Sequence, residues 1–99
     1  MRVARFTRTA KAELLAQIAY YEAEERSLGA RFRREVEDTA NRAAEFPKHG
    51  KPAAAGTRRR LVKDFYYSVV YTETNYGVLV HAVAAGRLPP EYWLSRIPR

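Results

Sequence analysis

The residues of this chain whose types could carry chemistry are basic and aromatic, and most of them lie between Arg58 and Arg96. An arginine can pair bidentately with a phosphate, and a tyrosine can stack on a base or carry a proton. Such a set is typical of a surface that binds an anionic partner. The candidate binding residues are Arg58, Arg59, Arg60, Lys63, Arg87, Tyr92 and Arg96.

The same residues also allow a purely structural interpretation. The arginines could serve only to keep the edge of a sheet solvated. Tyr92 could be a core anchor beside Trp93. Composition alone does not separate this interpretation from partner binding.

Residues for other kinds of catalysis are few. No serine stands in a nucleophile-elbow context, and the chain has no cysteine and no glycine-rich phosphate loop. The two histidines, His49 and His81, lie far apart and lack metal-ligand spacing. His81 falls between Leu79 and Val83 on a predicted strand, so we interpret it as a packing residue. The sequence predicts no cofactor and no metal site.

The net charge of +7 is concentrated in the second half of the chain. Residues 1–45 carry nine Lys/Arg against eight Asp/Glu, whereas residues 46–99 carry nine against three. No acidic residue lies between Glu45 and Asp64. A charge-mixed half followed by a basic half favours nucleic acid or an acidic protein as the partner.

The elements that must position the basic residues are three predicted strands with short links. Residues 58–62 begin with three arginines, residues 66–72 alternate at the period of a strand, and residues 78–84 form a second such run. Gly77, between the last two runs, can adopt the positive φ that a short hairpin loop needs. The three strands predict an antiparallel meander with basic residues at its two ends.

Two amphipathic helices precede the meander. Thr7 is predicted to cap the first, whose apolar residues repeat at helical spacing from Ala10 to Tyr21. Ser27 is predicted to cap the second, which Pro47 ends. The short link between them predicts an antiparallel helical hairpin. The predicted core between this hairpin and one sheet face comprises Leu14, Ile18, Phe32, Val36, Val69, Tyr71 and Val80.

The remaining segments complete the predicted architecture. Residues 3–6 are predicted to form an edge strand of the same sheet. Residues 48–57 contain two glycines and one proline and are predicted to be a mobile loop. Pro90 is predicted to open a short C-terminal helix, from which Trp93 and Leu94 fold back onto the core.

The totals predict a single α+β domain over residues 1–99. No apolar run approaches the length of a membrane span, and the N-terminus lacks the apolar core of a signal peptide. We therefore expect a cytoplasmic protein without a membrane partner.

Six pieces of the chain form a recognisable order: YYE (Tyr20–Glu22), LGARFRREVE (Leu28–Glu37), FP (Phe46–Pro47), RRRL (Arg58–Leu61), DFYYSVVY (Asp64–Tyr71) and HAVAAGRLPPEYW (His81–Trp93). Their order and spacing resemble the RelE/ParE superfamily of toxins from type II toxin–antitoxin systems, over nearly the whole chain. The resemblance implies an N-terminal strand, a helical hairpin packed on an antiparallel meander and a short C-terminal helix. It also implies a protein that arrests growth unless a cognate antitoxin binds it.

The departures from the superfamily pattern bear on the molecular target. Many relatives have Phe-Pro-Tyr where this chain has residues 65–67, and a histidine with a basic pair where it has residues 85–88. The RNA-cleaving branch typically uses a basic cluster with a tyrosine or histidine near the C-terminus. Of that set Tyr92 stands at a matching position, Arg87 lies one place off, and Ala85 replaces the histidine. We therefore favour a ParE-like toxin that inhibits DNA gyrase by binding it.

Two other functions stay open. One is a RelE-like, metal-free mRNA endoribonuclease that acts on the ribosome, with Arg60, Arg87 and Tyr92 as candidate catalytic residues. The other is a stand-alone nucleic-acid-binding module. For a toxin, the resemblance implies the cognate antitoxin as partner and either gyrase or the ribosome with its mRNA as target. We expect an antitoxin segment to add a helix or a strand and to place carboxylates near Arg58–Arg60.

Overall fold

The structure is a computed structural model that describes residues 2–86 and 88–98. These residues form five strands and three α-helices, together with short 3₁₀ turns before and after the second strand. In chain order the elements are β1 (Val3–Phe6), α1 (Arg8–Glu24), α2 (Leu28–Glu45), β2 (Lys51–Pro52), β3 (Arg58–Leu61), β4 (Tyr67–Glu73), β5 (Gly77–Ala85) and α3 (Glu91–Leu94).

The strands form one sheet in the order β1-β5-β4-β3-β2. The predicted meander is confirmed, because β3, β4 and β5 pair antiparallel with their neighbours in sequence. The predicted edge strand is also confirmed: β1 pairs parallel with β5, from Val3 opposite Gly77 to Phe6 opposite Val80. In the described part of the chain, the second half of β5 has no strand on that side.

Gly77 is required at the turn between β4 and β5. Its φ is +147°, a region that side-chain-bearing residues rarely adopt. A Cβ atom at this position would also collide with the backbone oxygen of Val3. The predicted positive φ is confirmed, and the close approach of β1 gives a second reason for glycine.

The helical hairpin forms as predicted, but only one of its two predicted caps exists. Thr7 Oγ1 accepts a hydrogen bond from the Ala10 amide at 3.1 Å, which confirms the first cap. Ser27 makes no capping bond through its side chain, and its φ is +73°. Glu22 of α1 replaces it, since its carboxylate accepts from the amides of Ser27 at 2.9 Å and Gly29 at 3.0 Å. The tight link turns the serine away and lets a longer side chain reach the start of α2.

The predicted core lies between the hairpin and one face of the sheet. Phe32 and Val36 of α2 are fully buried there. They pack with Val69, Tyr71 and Val80 of the sheet. Leu14 is also buried, and Ile18 is partly buried against the same cluster. None of the helices in residues 2–86 and 88–98 is long and apolar enough to cross a membrane.

The C-terminal segment covers the other face of the sheet. Trp93 and Ile97 are buried against Val70, Ala82 and Ala84, and Leu94 packs partly buried beside them. The predicted folding back of Trp93 and Leu94 is therefore confirmed, although onto a second, smaller core. This arrangement places apolar side chains on both faces of the central strands.

Residues 48–57 contain a short strand that the prediction of a loop did not include. Lys51 and Pro52 form the short strand β2, with Lys51 opposite Arg59 and Pro52 opposite Arg58. The turn that follows is closed by a bond from the Ala53 amide to the Thr57 carbonyl at 2.9 Å. Sequence reasoning predicted a loop without strand pairing for these residues because a two-residue strand containing proline has no period to detect, and an edge position needs few backbone donors.

His81 lies at a bulge in β5. The pairing register with β4 shifts between Val70 and Tyr71, so His81 is an extra residue in the ladder. It is 5% exposed, and its Nε2 lies 2.9 Å from Thr72 Oγ1. The interpretation as a packing residue is confirmed, but the bulge moves Val83 to the opposite face from the one that simple alternation predicts.

Acidification should destabilise the protein partly through His81. Burial lowers the pKa of this imidazole, so the unfolded chain takes up its proton first as the pH falls. The contribution is fully present above the unfolded pKa of about 6.5 and is lost as the pH falls below it. We expect His81→Gln to flatten the dependence of the unfolding free energy on pH between ~7.5 and ~5.5. Denaturant titrations check this, with exposed His49→Gln as the control; identical slopes in wild type and His81→Gln would contradict it.

Candidate functional site

The three consecutive arginines of β3 do not share one face of the sheet. Arg60 lies opposite Val69, on the face that packs on the helices, and Arg58 shares that face. Arg59 lies opposite Val70, on the face covered by the C-terminal segment. Because directly opposed residues of an antiparallel pair project to the same side, β3 presents cations to both faces at once.

Arg58 is used in a structural contact. Its Nη1 donates to the Gly50 carbonyl at 2.9 Å. Beside it the Tyr71 hydroxyl donates to the Pro47 carbonyl at 2.7 Å, and burial raises the pKa of that hydroxyl, which keeps its proton in place. A Cβ atom at Gly50 would collide with the same hydroxyl. These contacts hold the chain where it bends away from β3.

Arg59 and Arg60 border a shallow pocket of about 410 Å³ at that bend. His49, Lys51 and Leu61 complete its lining. We call this group the β3-edge pocket. The Nη1 atom of Arg60 is buried and has no hydrogen-bond partner among the described residues, while Leu61 is 73% exposed. The pocket is cationic, with an apolar side chain on its rim.

The two acidic residues closest in sequence to β3 and β4 form ion pairs with cations that do not belong to β3. Glu73 contacts Lys48 at 2.9 Å and Arg2 at 3.7 Å, and the bond from Lys48 lowers the pKa of its carboxyl. Asp64 contacts Arg31 of α2 at 2.7 Å. Across residues 2–86 and 88–98, no ion pair is formed by Arg58, Arg59, Arg60 or Lys63.

Arg96 is held inside the molecule. Its guanidinium makes a bidentate pair with Glu13 of α1, at 2.9 and 3.0 Å, and donates to the His81 carbonyl at 3.1 Å. The bond from Glu13 raises the pKa of Arg96. Glu13 also accepts from the Val83 amide at 3.1 Å, at the part of β5 that β1 leaves open. This clamp ties the C-terminal segment to α1; a role for Arg96 in partner binding stays a prediction.

Tyr92 does not pack beside Trp93, so the interpretation of Tyr92 as a core anchor was wrong. Its side chain is 44% exposed, whereas Trp93 is 4% exposed, because successive residues of a helix point about 100° apart. The ring lies under the Arg96 guanidinium at 4.9 Å. The pKa of the Tyr92 hydroxyl is raised, chiefly by a hydrogen bond to Glu13 and to a smaller extent by burial. The environment of Tyr92 thus favours the protonated phenol.

The structure divides the predicted site residues into two groups. Arg58, Arg59 and Arg60 lie together on β3, near one edge of the sheet, with exposed Lys63 just beyond them. Tyr92 and Arg96 lie at the outer side of β5, where Arg96 contacts Glu13. Arg87 lies outside the described residues. Within the described ranges, no three histidine or carboxylate side chains gather as metal ligands.

Sequence reasoning missed His49, Lys51 and Glu13. The first two join the arginines only because β2 pairs with β3, and the absence of acids from residue 46 to residue 63 was the available signal. Glu13 looked like one of many helical carboxylates. No local pattern marks a residue whose partner stands 83 positions later.

Comparison with known proteins gives two positive findings. The family described as "ParE toxin of type II toxin-antitoxin system, parDE" matches residues 4–87. Among solved structures, the chain is similar to one from "Chromosomal ParDE TA system from P. aeruginosa", with a TM-score of 0.75 and 15% identity over 86% of this chain and 96% of that chain. A search of curated protein sequences finds no significant match. At 15% identity the structural likeness concerns the fold.

Proposed function

Because this chain belongs to the ParE toxins of type II toxin–antitoxin systems, we propose that it arrests growth by binding DNA gyrase and not by cutting RNA. It is the toxin component of such a system, and a ParDE system implies an antitoxin as its partner. Family membership also removes the reason to invoke a stand-alone nucleic-acid-binding module. Gyrase acts on the chromosome, so the cytoplasm is the proposed place of action.

The separation of Tyr92 from the arginines of β3 is the observation that carries this proposal. Arg96, stacked on Tyr92, bonds to β5, and β4 lies between β5 and β3. Two strand spacings amount to about 10 Å. Within the described residues, Tyr92 interacts with Arg96 and Glu13 and with no arginine of β3. The described candidates therefore favour a binding surface over one catalytic cluster.

The pKa of Tyr92 supports the same conclusion. Cleavage of RNA by its own 2′-hydroxyl needs a base for that proton, and each positioned acid or base contributes about 10²–10⁴-fold. A tyrosine could act as base only if its pKa fell well below about 10. Glu13 instead raises the pKa of Tyr92, and the cation above the ring is already neutralised by that carboxylate.

The proposed target is tested by two assays on one preparation. Purified toxin should inhibit supercoiling by DNA gyrase and leave mRNA intact on translating ribosomes, and addition of the cognate antitoxin should reverse the inhibition. Induction in cells without the antitoxin should produce DNA damage before translation stops. Ribosome-dependent cleavage with unaffected supercoiling would instead identify an mRNA endoribonuclease.

Toxicity should survive Tyr92→Phe. This change keeps the ring beneath Arg96 and removes only the hydroxyl, which our proposal does not use. Colony counts after induction should match those of the wild-type toxin within a factor of about 3. Loss of a catalytic proton carrier would instead lower the rate of RNA cleavage about 10²-fold or more. Antitoxin binding and the thermal midpoint show that the variant is folded. A folded, antitoxin-binding Tyr92→Phe protein that is harmless would overturn the proposal in favour of the nuclease.

A further inference from the structure

A second pocket lies on the face of the sheet that the C-terminal segment covers. Val70 of β4 and Ala84 of β5 line it from the sheet, Trp93 from the C-terminal segment, and Ala53 from the turn after β2. We call it the sheet-face pocket. Its volume is about 320 Å³, at the lower end of the range of about 300–1,000 Å³ that is usual for small-molecule sites.

One polar side chain is buried at this pocket without a partner. Ser68 is 4% exposed and lines the pocket. It lies opposite Ala84, so its side chain projects to the pocket side of the sheet. Within residues 2–86 and 88–98 its hydroxyl makes no hydrogen bond. Burying a hydroxyl unpaired is costly, and a serine hydroxyl can both donate and accept, so Ser68 offers a hydrogen bond to an occupant.

A cation stands at the rim of the same pocket. Arg59 lies opposite Val70, on the pocket side of the sheet, and its side chain is exposed. In the described part of the chain it forms no ion pair, and no carboxylate lines the pocket. The guanidinium is therefore available to a planar anion, which it can bind through charge-assisted, bidentate hydrogen bonds.

The positions of Arg59 and Ser68 set the length of the occupant. Arg59 pairs with Val70, and Ser68 lies two residues before Val70 on β4, so the two are diagonal neighbours across the strands. Such neighbours are about 7–8 Å apart. A molecule that reaches both therefore carries an anion at one end of a short body and a hydrogen-bonding group at the other. The body lies on the apolar side chains of Val70, Ala84 and Trp93.

Other occupants satisfy fewer of these groups. A free phosphate would pair with Arg59 but would leave the apolar lining and Ser68 without contacts. A hydrocarbon would cover the apolar lining but would leave the Ser68 hydroxyl buried and unpaired. An aromatic carboxylate with a polar group opposite its carboxylate satisfies all three features at once, and a flat ring suits a narrow space beside an indole.

We infer that the sheet-face pocket binds a small aromatic carboxylate. Its carboxylate pairs with Arg59, and a hydroxyl or carbonyl group at its other end bonds to Ser68. Because Trp93 lines the same pocket, the ligand joins the sheet to the C-terminal segment and stabilises the folded state by mass action. This inference goes beyond the proposed function and does not depend on gyrase as the target.

The test uses three related probes on the full-length wild-type protein. The first is 4-hydroxyphenylacetate, which carries all three features. Trp93 is the only tryptophan, so its indole N–H gives a single assignable NMR signal, which should move with a Kd of about 1 mM or lower. The amide 4-hydroxyphenylacetamide lacks the charge, and phenylacetate lacks the hydroxyl. Each should bind at least about 5-fold more weakly than the first probe.

Matched variants assign these two losses to two residues. Arg59→Gln should remove the preference for the acid over the amide, whereas Arg34→Gln, at an exposed position on α2, should retain it. Ser68→Ala should remove the preference for the hydroxylated acid over phenylacetate. It should also leave the thermal midpoint of the free protein unchanged or higher, because the deleted hydroxyl has no partner to lose.

The comparison of the three probes on the wild-type protein does not require any variant to fold. No movement of the Trp93 signal at about tenfold above the expected Kd, or equal binding of the acid and the amide, would overturn the inference. A response to inorganic phosphate as large as that to 4-hydroxyphenylacetate would also overturn it, in favour of a simple anion site. Folded Arg59→Gln and Ser68→Ala proteins that keep both preferences would show that the probe binds elsewhere.

Discussion

Replacing Phe32 by alanine is expected to lower the free energy of unfolding by about 3–5 kcal/mol. The side chain is fully buried, and its ring lies 5.0 Å from those of Tyr21 and Phe65 and 5.2 Å from that of Tyr67. Truncation removes the contacts of three aromatic rings at once and leaves a cavity that a rigid hairpin and sheet cannot close. Small domains are stabilised by only about 5–15 kcal/mol, so the variant should be largely unfolded in mild denaturant.

Phe46→Ala is the matched control for this prediction. It removes the same group from a residue that is 47% exposed and stacks on His49. We expect a loss within about 1 kcal/mol. Urea titrations followed by far-UV circular dichroism measure both variants. Equal losses for Phe32→Ala and Phe46→Ala would show that the aromatic cluster does not hold the hairpin on the sheet.

The sequence predicted the elements whose pattern is local. The apolar periods of α2 and the alternation in β4 identified Phe32, Val36 and Val69 as core residues, because side-chain direction follows from spacing alone. Gly77 was predictable for a similar reason, since a short hairpin demands positive φ. For these elements, local preference and the fold agree.

The features that sequence reasoning missed depend on contacts between distant residues. The cap of α2 comes from Glu22 of the preceding helix and not from Ser27, and β2 exists because β3 is there to pair with it. The candidate site shows the same limit. The charge count located the arginines of β3, but only the bend at Gly50 adds His49 and Lys51 to them.

Arg96 illustrates what composition leaves out about a candidate site residue. The residue was predicted to bind a partner because it is basic and near Tyr92. The structure gives it two bonds to Glu13 and one to the His81 carbonyl. Because the Arg96 guanidinium already pairs with Glu13, its charge is partly neutralised towards an external anion. The pairing could not be predicted from the sequence, since it depends on how α1 and the C-terminal segment pack against each other.

Glu13→Ala is expected to destabilise the protein by about 2–4 kcal/mol and to loosen its C-terminal segment. Breaking a fully buried ion pair costs about 3–5 kcal/mol, and here the two side chains retain 14% and 21% exposure. The change strands the Arg96 guanidinium and removes the partner of the Val83 amide. Trp93, the only tryptophan, lies near the clamp, so its fluorescence should shift to the red as water reaches it.

Two comparisons isolate the clamp from other effects of losing a carboxylate. Glu37→Ala breaks an exposed pair with Arg33, 48% and 56% accessible, and should cost less than about 0.5 kcal/mol. Adding Arg96→Met to Glu13→Ala should cost less than the sum of the single changes, because the stranded charge is removed. If Glu13→Ala is no more harmful than Glu37→Ala and the Trp93 emission stays unchanged, the packing of Trp93 and Ile97 holds the segment by itself. The half of β5 that β1 leaves unpaired would then not depend on the Glu13 carboxylate for its stability.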